Sequence, residues 1–383
     1  MDNRWLILGL VFLIRTSTGF QFQAISSIAP LIVRDLQLSH AEFGALLGLY
    51  VLPGAVFALP GSMIGRRFGE RRLVFVSLAL MTAGALVTAS ANGFVSAAIG
   101  RLVSGVGAVV LNILMSKMIA DWFAGKEVST ALAVTLSSWP VGLGAAVATL
   151  GHLAAATSWR TSVMVTALWA AIGLLLMQLY RDPPAAPTVT SLGSLGRREL
   201  KLSLSAGFAW GCFNASLIAI LAFGPSLMIA HGATLGDAGS IVSLAIWVTI
   251  ISVPLGGLIN DRLPSSTPMI VGGSLLAALA TLFIPVSTHA ALAFCLVGIA
   301  VGGPPGAIMA LLPRALPPGH LATGFGVFYT VFYVMMAATQ PAAGLVRDVA
   351  GNPAAPIVFA ALVMAATVAG IALFRRIEHT PVA

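Results

Sequence analysis

Charge is what this sequence has least of. Only 8% of its 383 residues are Asp, Glu, Lys or Arg, where a soluble domain carries about 25%, and the mean hydropathy is +0.99. A water-soluble globule is therefore excluded. Acids are scarcer than bases, 12 against 20. The bases sit between apolar runs rather than in a solvated patch, so the pI near 10.3 does not point to nucleic acid. The only two cysteines, Cys212 and Cys295, lie in different apolar runs and suggest neither a disulfide framework nor a metal site. No constellation of nucleophile, base or metal ligands falls within a run. Neither enzyme activity nor a cofactor is expected.

What is present is apolar sequence in span-length pieces. A membrane helix needs about 20 mostly apolar residues, and twelve such runs occur, at approximately 5–33, 42–64, 73–92, 94–118, 128–153, 158–180, 203–230, 237–259, 267–287, 289–313, 321–345 and 354–374. The first is expected to be a retained helix rather than a cleaved signal, since Arg15 interrupts it. The stretch "RDPPAAPTVTSLGSLGRRELK" is the least hydrophobic connection. It divides the chain into an N-terminal six-helix bundle (1–180), a cytoplasmic linker (181–202) and a C-terminal six-helix bundle (203–383). Placing the N-terminus inside puts about fifteen of the twenty Lys and Arg residues on the cytoplasmic side. Both termini are then cytoplasmic, and the bilayer is the chain's main surroundings.

The halves echo each other. "LPGSMIGRRFGERR" closes the second run and "VPLGGLINDRLP" closes the eighth, at an offset of about 195 residues. Duplicated halves around a midplane site are a common plan among secondary transporters. On these residues the sequence resembles the major facilitator superfamily over essentially its whole length. That family's loop between spans two and three is matched at Arg67, Gly69, Arg71 and Arg72, with Ser62 in place of its first Gly and Arg66 in place of its Asp. The second copy keeps Gly257, Asp261 and Arg262. "RLVSGVGA" is similar to the fourth-span element at Arg101, Gly105 and Gly107, and "SWPVGLGAA" to the Gly/Pro-rich element of the fifth. The phrasing "GFQFQ…APLIVRDL…GLYVLPG" resembles the cyanate-permease branch. The resemblance implies an all-α membrane protein of twelve helices in two pseudo-symmetric bundles, a monomer, with Arg67, Arg71, Asp261 and Arg262 as gate residues on the cytoplasmic side.

Two arginines fall inside spans, Arg15 and Arg101. Burying a guanidinium costs roughly 2.5–3.5 kcal/mol at a helix centre on insertion scales, so such a residue points to function. Arg15 shares a helix face with Gly19, Phe22 and Ser26, flanked by Gln23. Arg101 shares one with Gly105, Ala108 and Asn112. In the fold that the resemblance implies, both faces line the central cavity, and the two arginines are expected to form an anion cage. Capping of backbone carbonyls is the plainer reading of either one. Every acid is expected at a helix end, in a loop or in a tail, so neither arginine has an internal counter-ion, and a substrate anion is the natural partner. Trp139 in the fifth span, Trp210 and Asn214 in the seventh, and Tyr329 and Tyr333 in the eleventh are expected to complete the cage, although aromatics in membrane helices also serve as packing.

The expected function is secondary transport, by alternating access, of a small anion (cyanate- or nitrate-like, or a small carboxylate) across the cytoplasmic membrane. A coupled proton or an exchanged anion is the expected second cargo. Proton-coupled drug efflux is the alternative. It is disfavoured by the absence of a mid-depth carboxylate.

Overall fold

A computed structural model describes residues 4–58, 69–123, 127–181, 194–263 and 265–380. Among them there is no strand, and twelve helices are long and apolar enough to cross a membrane. We number these α1 (Arg4–Ser27), α2 (His40–Phe57), α3 (Glu70–Ala89), α4 (Phe94–Trp122), α5 (Thr130–Ala156), α6 (Trp159–Leu179), α7 (Arg197–Ala230), α8 (Leu235–Asn260), α9 (Thr267–Val286), α10 (Ala290–Ala315), α11 (Leu321–Ala350) and α12 (Ala355–Glu378). Helix is what these runs must form in lipid, where each backbone N–H and C=O has to find its partner within the chain.

Local chemistry sets the ends. The first run is broken at Ile28, where Pro30 starts a separate short helix, Ala29–Asp35. At the next turn Ser39 and Glu42 form a reciprocal cap: the Ser39 side chain accepts from the Glu42 N–H, and the Glu42 carboxylate accepts from the Ser39 N–H at 2.8 Å. Ser158 and Thr234 cap the helices that begin with Trp159 and Leu235. α7 begins at Arg197, six residues before the start expected from hydropathy, because Glu199 reaches back to the Gly196 N–H and supports another turn. α10 is interrupted at Val301–Gly303, ahead of Pro304. The missing side chain at Gly256 in α8 lets the Gly302 carbonyl come into contact there.

α1 and α7 lie at the centres of the two bundles: 67% and 78% of their most hydropathic stretches are buried, the highest shares of the twelve. Around them α3 packs on α4 and α5 on α1, while α7 packs on α12 and α11. The bundles meet along two crossings, α2 with α11 and α5 with α8. Both crossings use small residues for close backbone approach. A Cβ at Gly48 would strike the carbonyl of Ala337, and one at Gly239 that of Val147.

These crossings favour one end of the molecule, the end away from the chain termini, called distal here. There Asp348 of α11 accepts from the His40 and Ala41 N–H groups of α2, at 2.9 and 2.8 Å, and its Oδ1 lies 2.7 Å from His40 Nδ1. On the other crossing His152 Nε2 is 3.1 Å from Ser240 Oγ. Toward the proximal end the ion pairs stay within one bundle: Lys117 with Glu70 and Asp121, Arg4 with Glu127, His320 with Glu199, and Arg375 with Glu378.

Candidate functional site

Arg15 lies in the middle of α1, only 6% exposed. Its Nε donates to Asn112 Oδ1 of α4 at 2.8 Å, and its Nη1 to the Thr135 carbonyl of α5 at 2.5 Å. Thr18 Oγ1 donates to the Arg15 carbonyl at 2.8 Å and lies 3.3 Å from the same Asn112 oxygen. A guanidinium has five N–H donors, so these two bonds orient it and leave the Nη2 edge without a partner among the described residues. The Asn112 amide nitrogen likewise has no acceptor among them. Asn112 is half-buried.

No carboxylate pairs with Arg15 among the described residues. The acids whose side chains are described are engaged elsewhere: Asp35 with Trp159 and Arg160, Glu42 and Asp237 in caps, and the others in the ion pairs named above. Across the bundle interface Tyr329 and Tyr333 of α11 lie in the neighbourhood of the guanidinium and of each other. Both are half-buried, and neither phenol oxygen has a hydrogen-bond partner among the described residues. The Tyr333 ring fills the space a side chain at Gly54 would take, which places it against α2. The structure thus brings Arg15, Asn112, Tyr329 and Tyr333 into one polar cluster.

Trp210, on α7, belongs to an aromatic wall beside this cluster. Its ring lies 6.2 Å from Phe213, 6.3 Å from Phe328 and 6.3 Å from Phe332, and Phe332 continues to Tyr329 at 6.1 Å and Tyr333 at 4.9 Å. Trp139 is half-buried on the other bundle, 5.4 Å from the Phe22 ring. Asn214 donates to the Trp210 carbonyl one turn back, at 2.9 Å, which leaves its amide oxygen as the free end. Gln23 is fully buried, and its Nε2 reaches the Leu221 carbonyl of α7 at 3.4 Å, so it bridges the bundles instead of opening onto the cluster.

Arg101 is a correction to the expected cage. Its Nε, Nη1 and Nη2 donate to the carbonyls of Leu46, Gln21 and Phe22 at 3.0, 3.0 and 3.1 Å, and its guanidinium carbon stands 4.4 Å over the Tyr50 ring. All three nitrogens are engaged by protein, with 2% of the residue exposed. Gln21 and Phe22 are also six and seven residues beyond Arg15, about 10 Å along the helix at 1.5 Å per residue. The two arginines do not share one small ligand. Arg101 cross-links α1, α2 and α4 near the distal end.

Of the expected gate residues, Arg67 lies outside the described residues, and so does the side chain of Asp261. Arg262 is exposed at the end of α8. Arg71 donates to the Gln178 carbonyl at 3.3 Å, within its own bundle rather than across the gate. Sequence reasoning missed Thr135, whose backbone oxygen is the contribution and leaves no trace in residue type. It also missed Tyr50, whose phenol donates to the Thr18 carbonyl at 3.0 Å and to Gln21 Oε1 at 3.2 Å.

Two six-helix bundles clasped at one end, with a cationic side chain between them, define a polytopic membrane transporter. The chain belongs to the Major Facilitator Superfamily, whose profile matches residues 11–340 and 202–383. It is 27% identical to the 3-(3-hydroxy-phenyl)propionate transporter of Escherichia coli (strain K12) over 351 residues, 85% of this chain and 83% of that one. It is 26% identical to the hexuronate transporter of Bacillus subtilis (strain 168) over 261 residues, 64% of this chain and 61% of the relative's length. Among solved structures, a bacterial homolog of the human lysosomal transporter Spinster, in an inward-facing and occupied conformation, superposes with a TM-score of 0.79. That likeness, at 17% identity over 99% of this chain and 96% of the other, is one of fold.

Proposed function

We propose that this protein is a secondary transporter of a small organic anion in the cytoplasmic membrane. The carrying observation is Arg15: a mid-span guanidinium oriented by Asn112 and Thr135, with donors left over and no carboxylate partner among the described residues. Arg15, Asn112, Tyr329 and Tyr333 each keep donors without a partner among the described residues. A carboxylate supplies the missing acceptors and the missing charge together, and a guanidinium can meet it with two parallel bonds. The relatives add weight, because the two whose names are given above carry organic acids. The narrower reading of a cyanate-type carrier rests on sequence phrasing alone.

In this proposal the chain divides into bundles at 1–180 and 203–383 with a linker at 181–202, both termini are cytoplasmic, and the bundles rock about the site. The distal clasp then faces outward, and the site opens to the cytoplasm. No titratable acid stands beside Arg15 among the described residues, so a coupled proton would travel on the substrate or an exchanged anion would take its place. That same feature weighs against proton-coupled drug efflux. The test is a thermal-shift screen of purified protein against small anions, with Arg15→Ala in parallel, because ligands of the folded state raise its stability by mass action. Stabilisation by an anion that disappears in the variant supports the proposal. Stabilisation by lipophilic cations and by no anion would replace it with efflux.

A further inference from the structure

We infer that the anion is aromatic: a benzene-type ring joined to its carboxylate by a short linker. The inference rests on the anion reading of Arg15 and deepens it. The wall beside the guanidinium is built of rings, from Tyr329 to Phe332 at 6.1 Å and from Phe332 to Trp210 at 6.3 Å. The chain has four tyrosines, and two of them stand here. Trp210, Tyr329, Phe332 and Tyr333 are all half-buried, unlike Phe328 behind them, which is fully covered. Packing in a helix bundle would bury such rings. Here they keep accessible surface.

In this reading a carboxylate bound at the Nη2 edge of Arg15 extends its aryl group through a short linker toward Tyr329 and Phe332. Rings attract through offset or edge-to-face contacts, since the positive edge of one meets the negative face of another. A saturated ring of similar size fills the same volume without that term. Aromatic faces also attract cations, but a guanidinium at the end of the wall repels a cationic ligand. The unpartnered hydroxyls of Tyr329 and Tyr333 add donors for the carboxylate or for a ring hydroxyl.

The experiment measures dissociation constants for 3-phenylpropionate and 3-cyclohexylpropionate by calorimetry, on purified wild type, Trp210→Leu, Phe332→Leu and Arg15→Ala. Wild type should prefer the phenyl acid about three- to tenfold. Each leucine variant should bring that ratio near one while shifting the cyclohexyl acid by less than about threefold. Arg15→Ala should lose both acids. Equal affinity of wild type for the two acids overturns the aromatic inference and leaves the anion proposal standing. Failure of wild type to bind either acid, while binding a smaller or non-aromatic anion such as acetate or glucuronate, also overturns the inference alone. Binding of no anion at all overturns both.

Discussion

Asn112→Asp is the sharpest perturbation the site offers. The oxygen that accepts from Arg15 Nε at 2.8 Å is retained, and the amide nitrogen becomes a second, charged oxygen. The side chain keeps its shape, and its bond from Thr18 survives. The guanidinium gains the internal counter-ion it lacks. At about 4 Å between charge centres and an effective dielectric near 20, that attraction is about 4 kcal/mol, and about 2 kcal/mol if half-exposure of residue 112 doubles the screening. An incoming carboxylate must then share a neutralised arginine. The variant should bind any anion between about 30-fold and 1,000-fold more weakly than wild type. Ligand-free thermal stability should hold or rise, because the new pair lies inside the protein. Calorimetry on purified protein, with a melting curve of each ligand-free sample, gives both quantities. Anion affinity within threefold of wild type, in a variant that melts normally, would refute the assignment of Arg15 as the ligand.

Arg15→Lys keeps the charge but loses the planar fork, so uptake should fall at least tenfold while expression and melting stay near wild type; transport at the wild-type rate counts against bidentate binding. Arg101→Gln should behave in the opposite way, since three charge-assisted bonds to carbonyls are at stake at about 1.5–3 kcal/mol each before compensation. Its melting temperature should drop sharply, and any protein that survives should keep its anion affinity; normal stability would show that the carbonyl staple is idle. Gly344→Val puts a side chain on the His40 carbonyl at the α2–α11 crossing. Overpacking there costs about 1–3 kcal/mol, enough to shift the distal end toward open about 5- to 150-fold. In a Cys295→Ala background, a cysteine introduced by Ser226→Cys should label faster with maleimide once Gly344→Val is added, and an unchanged rate would mean that the crossing does not control access. Asp35 is held below the usual carboxylate range, first by the Trp159 indole N–H and then by Arg160. A depressed folded-state pKa gives stability that is present above the ordinary value near 4 and lost as pH falls through the lowered one. The melting difference between wild type and Asp35→Asn should therefore be constant at neutral pH and disappear as pH falls through the lowered value; a difference that persists once the carboxyl is protonated would mean that the contacts with Trp159 and Arg160 do not act through the carboxylate.

The twelve spans were legible because hydrophobic length is a one-dimensional property: a run either covers the bilayer or does not. Family membership was legible in the paired turns after the second and eighth spans. The isolation of Arg15 was also legible, since a shortage of mid-span acids can be read from composition and position alone. Helix periodicity placed Asn112 and Arg101 on one face of α4, and that is where sequence stopped helping. A face is a stripe many turns long. Which turn of α1 each residue meets depends on the crossing of α1 and α4, which no local pattern encodes. Tertiary packing set Asn112 against Arg15 and Arg101 against the carbonyls of Leu46, Gln21 and Phe22. The same residue type thus became a cation with open donors in one place and a staple in the other. Trp210, Tyr329 and Tyr333 were visible one by one, but with Phe332 they make a wall only because α7 and α11 pack side by side. The sequence by itself determined that this chain lives in a bilayer with a buried positive charge to satisfy. Only the tertiary structure decided which charge the protein satisfies itself, because backbone carbonyls are chemically identical at every position and become partners only through where the fold brings them.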